Sequence, residues 1–259
     1  MAELTYGSYL KIADLLHLQQ PLSDGPEHDE LLFIVIHQTY ELWFKQVLHE
    51  LQATQSALEA NDLYRSLALV GRIRTIMKTL VSQVDILETM TPLQFNSFRS
   101  RLDSSSGFQS AQFREFEAVL GRRTGLPLDS LDAHDRARVE SAMNRRSLWG
   151  STLMLLAQRG HEISAHRMAD DTSAIEGADE DVQEVLVGVY LNDAEAALLL
   201  ERVVDLDEGV QEWRYRHLKM VERTIGNKMG TGGSSGVNYL ASTLFNPVFP
   251  DLWAVRNRF

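Results

Sequence analysis

Apolar positions are densest in the segment His28–Leu51, HDELLFIVIHQTYELWFKQVLHEL, where Leu31 to Ile36 runs without a polar residue. Such a run predicts a helix that is buried nearly all round and central to a helical core. Asp24 followed three residues later by Glu27 resembles a capping box, and Pro26 suits a first turn, so the helix is expected to open there. Asp29 and Glu30 place negative charge near its positive end. Glu41 and Lys45 form a correctly oriented i,i+4 pair on the more polar side. His37 interrupts the oily run, with Phe33 one turn before it and Glu41 one turn after. An imidazole placed there needs a hydrogen-bond partner, a metal or a ligand, because an unpaired buried polar group costs roughly 2–7 kcal/mol. A neighbouring carbonyl is the plainest of these partners.

Helical spacing recurs along the rest of the chain. Upstream, Tyr6–Leu16 predicts one short amphipathic helix with Tyr6, Tyr9, Leu10 and Ala13 on a shared face, cut off from the body by the polar loop HLQQPLSDGPE. It either folds back on its own core or serves as a subunit-contact arm. Leu67, Val70, Ile73, Ile76, Leu80, Val84 and Leu87 predict a long helix over 63–90. Thr91–Pro92 opens a shorter one, PLQFNSFRSRL, that DSSSG breaks; FQSAQFREFEAVLG then resumes to Gly121. Two more helices are expected between Asp129 and Gly160, and a polar surface loop over Met168–Asp181. Two helices over 182–203 and 206–225 follow, then GNKMGTGGSSG, a short helix at 237–244 and a proline-punctuated tail. With no alternating strand and no internal repeat, residues 1–259 read as one all-α domain.

Composition narrows the function classes. A chain of 259 residues with 44% hydrophobic content can bury a substantial core. A net charge of -11, from 25 basic and 36 acidic residues, disfavours binding to a phosphate backbone, so no nucleic-acid partner is expected. With no cysteine, disulfides, thiolate nucleophiles, zinc–sulfur sites, iron–sulfur clusters and thiolate-ligated haem are excluded. The start MAELTYGSYLK does not have the layout of a signal peptide, and no apolar run approaches the ~20 residues of a membrane span. A soluble, cytoplasmic protein without a membrane partner is the expectation.

Histidines in a helical core raise metal or haem chemistry. Di-iron carboxylate bundles need Glu-x-x-His pairs, and no histidine here has a glutamate three residues before it. The HExxH spacing is absent as well. One neutral imidazole from each of two helices does suit haem, which takes one proximal ligand and a shaped distal pocket. His217 in QEWRYRHLKMVERTIG is the best second histidine, with Trp213 and Val221 one turn away on its face. Its alternative reading is a boundary histidine in a basic helix. His17, His28, His49 and His134 fall on polar faces or loops, and His161 with His166, five apart around a helix end, offers a weak metal signal beside the plainer reading of ordinary loop residues. The segment GTGGSSG fits neither phosphate-binding glycine motif, and no predicted strand precedes it. Its backbone N–H groups and the hydroxyls of Thr231, Ser234 and Ser235 suit a carboxylate or a propionate, unless the segment is only a connector. Phe95 and Arg99, one turn apart, offer an apolar wall beside a guanidinium, an arrangement suited to an aromatic carboxylate.

Taken together, LTYGSYL, the long central motif, FNSFR, SSGFQSAQFR, WRYRH and GTGGSSG resemble the tryptophan 2,3-dioxygenase family in sequence, order and spacing from Leu4 to Arg256. The resemblance implies a helical haem b enzyme, a homotetramer built as a dimer of dimers. Such an enzyme inserts both atoms of O2 across the indole C2–C3 bond of L-tryptophan to give N-formylkynurenine, the first step of the kynurenine route. Carried over by motif, His217 matches the proximal iron ligand, and His37 the distal histidine that meets the indole N–H. Arg99 matches the residue that grips the substrate carboxylate, Thr231 a contact to the amino-acid end, and Phe33 and Phe95 the pocket aromatics. Position 95 varies between phenylalanine and tyrosine in the family, so a tyrosine's hydroxyl contact is missing here. Ser106 and Gly107 match the segment lining the haem's distal side. Tyr6, Tyr9 and Leu10 match an N-terminal arm, residues 1–20, that enters the neighbouring subunit's pocket. A related haem oxygenase that acts on a tryptophan analogue, inserting a single oxygen atom, and a haem- and tryptophan-binding sensor without turnover are the competing readings.

Overall fold

Three long helices carry the architecture: α3 (His28–Glu59), α4 (Leu63–Leu87) and α11 (Ala194–Ile225), of 32, 25 and 32 residues. At 1.5 Å per residue, α3 and α11 each extend about 48 Å. Both pack along α4. The computed structural model describes residues 3–25, 27–169, 177–230 and 236–259, and its regular elements are all helical, as the spacing predicts. The main core draws Val47, Leu51 and Leu58 from α3, Val70, Ile73 and Leu80 from α4, and Leu199, Leu200, Val203 and Leu206 from α11. Around it lie α6 (Ala111–Leu120), α7 (Ala133–Met143), α8 (Leu148–Gln158) and α10 (Glu180–Asn192). The tail helix α13 (Pro250–Ala254) closes the core through Phe249 and Leu252, and Asp207 fixes it by accepting from Phe249 N and Trp253 Nε1. No described helix is long and apolar enough to cross a membrane.

The structure departs from the expected elements in ways that bear on function. Helix α3 begins at His28 with Glu27 as N-cap and no side-chain cap, so Asp24 does not open it. It is also not buried all round in its first part. Leu31 and Val35 are 46% and 39% exposed, Leu32, Phe33 and Ile34 are half-buried, and Ile36 alone of that run is buried. The continuous core contact comes later, from Phe44 to Leu58; in the first third of α3, Phe33 and His37 face a cavity while Ile36 packs with Leu87, Met90 and Phe98.

The N-terminal helix is broken into α1 (Tyr6–Leu10) and α2 (Ile12–Leu15) by Lys11, whose φ of 54° is left-handed. No residue of either piece is buried; Tyr6 is 78% and Tyr9 72% exposed. The linker behind them is nevertheless fastened. Leu22 N and Ser23 N donate to the buried Glu30 carboxylate at 2.7 and 3.1 Å, and Gln38 Nε2 donates to Leu18 O at 3.1 Å.

Farther along, the expected break near 204–205 does not exist. α11 runs unbroken through it, and the break falls at Asp193, whose carboxylate caps Ala196 N and holds Arg159 at 2.7 Å. The expected third helix ends at Arg99, as α5 (Pro92–Arg99), and a 3-10 turn, Gly107–Gln109, precedes α6. Half of the expected polar loop over 168–181 lies outside the described residues; its start belongs to α9 (Ala165–Ala169) and its end to α10.

Candidate functional site

A cavity of about 540 Å³ opens between the first half of α3, the end of α4, α5, the stretch Leu102–Ser110, the start of α6, the second half of α11 and α12 (Val237–Ser242). That volume lies in the range of roughly 300–1,000 Å³ typical of cofactor and ligand pockets. Phe33, His37, Phe95, Arg99, Ser106, Gly107 and His217 all line it. Seven of the residues singled out in the sequence, spread over three helices and a loop, thus meet at one place. Tyr6, Tyr9 and Leu10 do not reach the cavity of their own chain. Thr231 lies outside the described residues, as do Ser234 and Ser235.

His37 is reached by solvent from the cavity while protein crowds its ring, as expected of a group in a cavity wall. Its Nδ1 lies 2.7 Å from Phe33 O, one turn back on α3. A carbonyl only accepts, so Nδ1 carries the proton and Nε2 of the neutral ring keeps a lone pair. Burial pushes the imidazole below its ordinary pKa, against smaller opposing effects of the Phe33 carbonyl and Glu41. At neutral pH His37 is therefore a fixed hydrogen-bond acceptor facing an apolar space. The Phe33 ring lies 4.0 Å from the imidazole and 5.9 Å from Phe95, and Phe98 backs both.

His217, on α11, has its ring stacked on Trp213 at 5.1 Å with 3° between planes. Burial, with smaller contributions from His37 and Arg114, pushes its pKa down to about 4, so it too is neutral at pH 7. Neither ring nitrogen bonds a described residue, which leaves a lone pair free to ligate a metal. Groups of three or more metal-ligating side chains are absent among the described residues, so a metal held by side chains alone does not fit. A metal brought in by a planar macrocycle needs one such ligand, and the apolar lining, the volume and the free imidazole fit a haem.

Arg99 ends α5, which Thr91 and Gln94 open with a reciprocal capping box. Its Nη2 donates to Met229 O at 2.8 Å, tying the guanidinium to the glycine-rich segment and leaving other N–H groups for a carboxylate. The described ends of that segment, Lys228 and Gly236, come together. Gly236 has φ 58°, and a Cβ there would lie 2.8 Å from Lys228 O, so only glycine lets the two ends touch. Gly230 and Gly236 face the cavity. The other histidines keep to the expected roles: His17, His28, His49, His134 and His166 are exposed, and His161 pairs with Asp193.

Sequence reasoning missed a basic group on the same wall: Arg114, Arg122 and Arg214 around Glu117, with Tyr239 beside them. In the sequence, Arg114 and Glu117 stand out only as members of the helix FQSAQFREFEAVLG. The signal that was present is amphipathic: Arg114 and Glu117 share the helical face of Phe113 and Phe116 more than a solvent face.

Comparison with known proteins agrees with the geometry. The family model described as Tryptophan 2,3-dioxygenase matches residues 1–149 and 151–259. A protein of Anaeromyxobacter dehalogenans named tryptophan 2,3-dioxygenase is 57% identical over 260 residues, covering 98% of this chain and 96% of its own. One of the same name from Herpetosiphon aurantiacus is 56% identical over 256 residues, covering 98% and 97%. A third, from Xanthomonas euvesicatoria, is 41% identical over 258 residues, covering 98% and 87%. With two neutral histidines on opposite helices facing one apolar cavity, and likeness along the whole length, the chain belongs to the tryptophan 2,3-dioxygenase family.

Proposed function

We propose that the chain is a haem b-dependent dioxygenase that inserts O2 across the indole C2–C3 bond of L-tryptophan to give N-formylkynurenine. The observation that carries this reading is the pair His37 and His217, each neutral and each with a free nitrogen, in one aromatic-lined cavity. His217 is the iron's protein ligand in this reading, with Ser106 and Gly107 against the macrocycle. Haem, when bound, supplies the redox-active iron that makes O2 reactive toward an indole.

The chain's own residues then hold the substrate. Nε2 of His37 accepts the indole N–H; because Nδ1 is already committed to Phe33 O, the ring cannot turn its acceptor elsewhere. His37 orients and tunes the indole; it need not remove the proton. Phe33 and Phe95 flank the ring and exclude water. Arg99 binds the carboxylate, its guanidinium pre-oriented by Met229 O, and Thr231 meets the amino-acid end. Tyr6, Tyr9 and Leu10 complete the pocket of a neighbouring subunit in a homotetramer. Their exposure, and that of Leu31, Val35 and Leu42 on α3, supports self-association. A single domain and a cytoplasmic location belong to the same proposal.

The test is a single turnover. Protein reconstituted with haem is reduced anaerobically, mixed with L-tryptophan and isotopically labelled O2, and the product is weighed. Two labelled oxygens in an N-formylkynurenine product are expected. One labelled oxygen would shift the assignment to a monooxygenase, and no product with intact haem binding to a sensor.

A further inference from the structure

The cavity has an end whose charge the substrate-facing residues do not explain. Glu117, buried on α6, accepts from Arg114 Nη1 at 2.5 Å and Arg122 Nη1 at 2.7 Å, and lies 3.4 Å from Arg214 Nη2. Three guanidiniums converge on one carboxylate. Asp207 also bears on Arg214, but it bonds Phe249 N, Trp253 Nε1 and Gln211 Nε2, and even counting it the group keeps surplus positive charge. Arg122 donates further to the carbonyls of Thr124 and Gly125, and Arg214 to those of Thr243 and Asn246.

Arg114 differs from both. It is 5% exposed and lines the cavity, yet Glu117 is its only hydrogen-bond partner among the described residues, and its Nε is buried with no partner. Its guanidinium carbon lies 5.5 Å from the Phe108 ring centre and 5.1 Å from that of Phe113. A buried guanidinium left short of acceptors is costly, and a second carboxylate would relieve that cost. It also lies on the His217 side of the cavity: Phe113 packs on Trp213, which stacks on His217.

We infer that Arg114, supported by Arg122 and Arg214, receives a propionate carboxylate of the haem, leaving Arg99 for the substrate. The inference rests on the haem reading above. It gives the three arginines a task separate from catalysis, which would be to hold the macrocycle beside His217. Substrate and cofactor carboxylates are then sorted by two different arginine sites in one cavity.

The experiment is a Soret titration of the apoprotein with iron protoporphyrin IX and, separately, with its dimethyl ester. A charge-assisted hydrogen bond predicts that the free acid binds roughly 10- to 150-fold more tightly. Arg114→Met should bring the two affinities to within a few-fold by weakening the free acid alone, and Arg114→Lys should restore part of the difference. Full discrimination in Arg114→Met, or none in the wild type, overturns the inference while the haem reading stands. A wild type that binds neither porphyrin overturns both. If Arg114→Met loses its helical circular dichroism, the wild-type comparison and Arg114→Lys decide.

Discussion

Removing the guanidinium of Arg99 should cost tryptophan more than it costs tryptamine, which lacks the carboxylate. Arg99 is half-buried and held by one hydrogen bond to Met229 O, so Arg99→Ala leaves no strained cavity behind it. Met229 itself is 64% exposed, and its carbonyl can turn to water. The stability cost is accordingly small, within ~0.5 kcal/mol as for other surface changes. Truncating one partner of a fully buried charge pair costs roughly 2–5 kcal/mol, and partial exposure of Arg99 favours the lower half of that range. A loss of about 2–3 kcal/mol corresponds to a fall in kcat/KM for L-tryptophan of roughly 30- to 150-fold. Tryptamine should change by less than about threefold, because it never used the interaction. Arg99→Lys should recover only part of the loss, since an ammonium keeps the charge but not the forked donor. Steady-state product formation with both substrates, on protein of matched haem content, checks this. An equal loss for tryptophan and tryptamine would refute the carboxylate role and make Arg99 a structural tie between α5 and the glycine-rich segment.

His217→Ala should abolish the histidine-ligated haem spectrum, and added imidazole should bring it back; an unchanged spectrum removes His217 from the iron. Deleting residues 1–12 should weaken tryptophan binding and disturb assembly in light-scattering measurements while barely moving the melting temperature, because no described residue of that arm is buried. Asp193→Ala should destabilise the fold by about 2–4 kcal/mol, combining a lost N-cap with a lost Arg159 pair, as read by urea unfolding. The Arg159 guanidinium holds the Asp193 carboxyl well below the usual carboxylate range. Its stabilisation is thus complete above the unfolded pKa near 4 and lost as pH falls further. Below pH 4 the wild type should lose stability faster than Asp193→Ala, and parallel pH profiles would discard that linkage.

The helices were legible in the sequence because each buries a stripe at 3.6-residue spacing, and that stripe is a local pattern. The α4 positions Val70, Ile73, Leu80, Val84 and Leu87 are all buried as the spacing predicts. The candidate site residues were singled out through motifs: His37 and His217, which line one cavity, are 180 positions apart in the chain, and spacing alone left each with an ordinary alternative. What only the tertiary structure decided depends on contacts between distant segments. It placed the first third of α3 at a cavity wall, because residues of α4, α5 and α11 line the same space that Phe33 and His37 face. It moved the α10–α11 break to Asp193, because Arg159, which caps the end of α8, supplies the charge that holds the cap in place. It made Arg114 a buried, under-bonded cation, because Glu117 must share its two oxygens among three guanidiniums from two helices and a loop. The local pattern fixes which residues form a helix, and the long-range packing decides whether a residue on it meets solvent, core or a cavity.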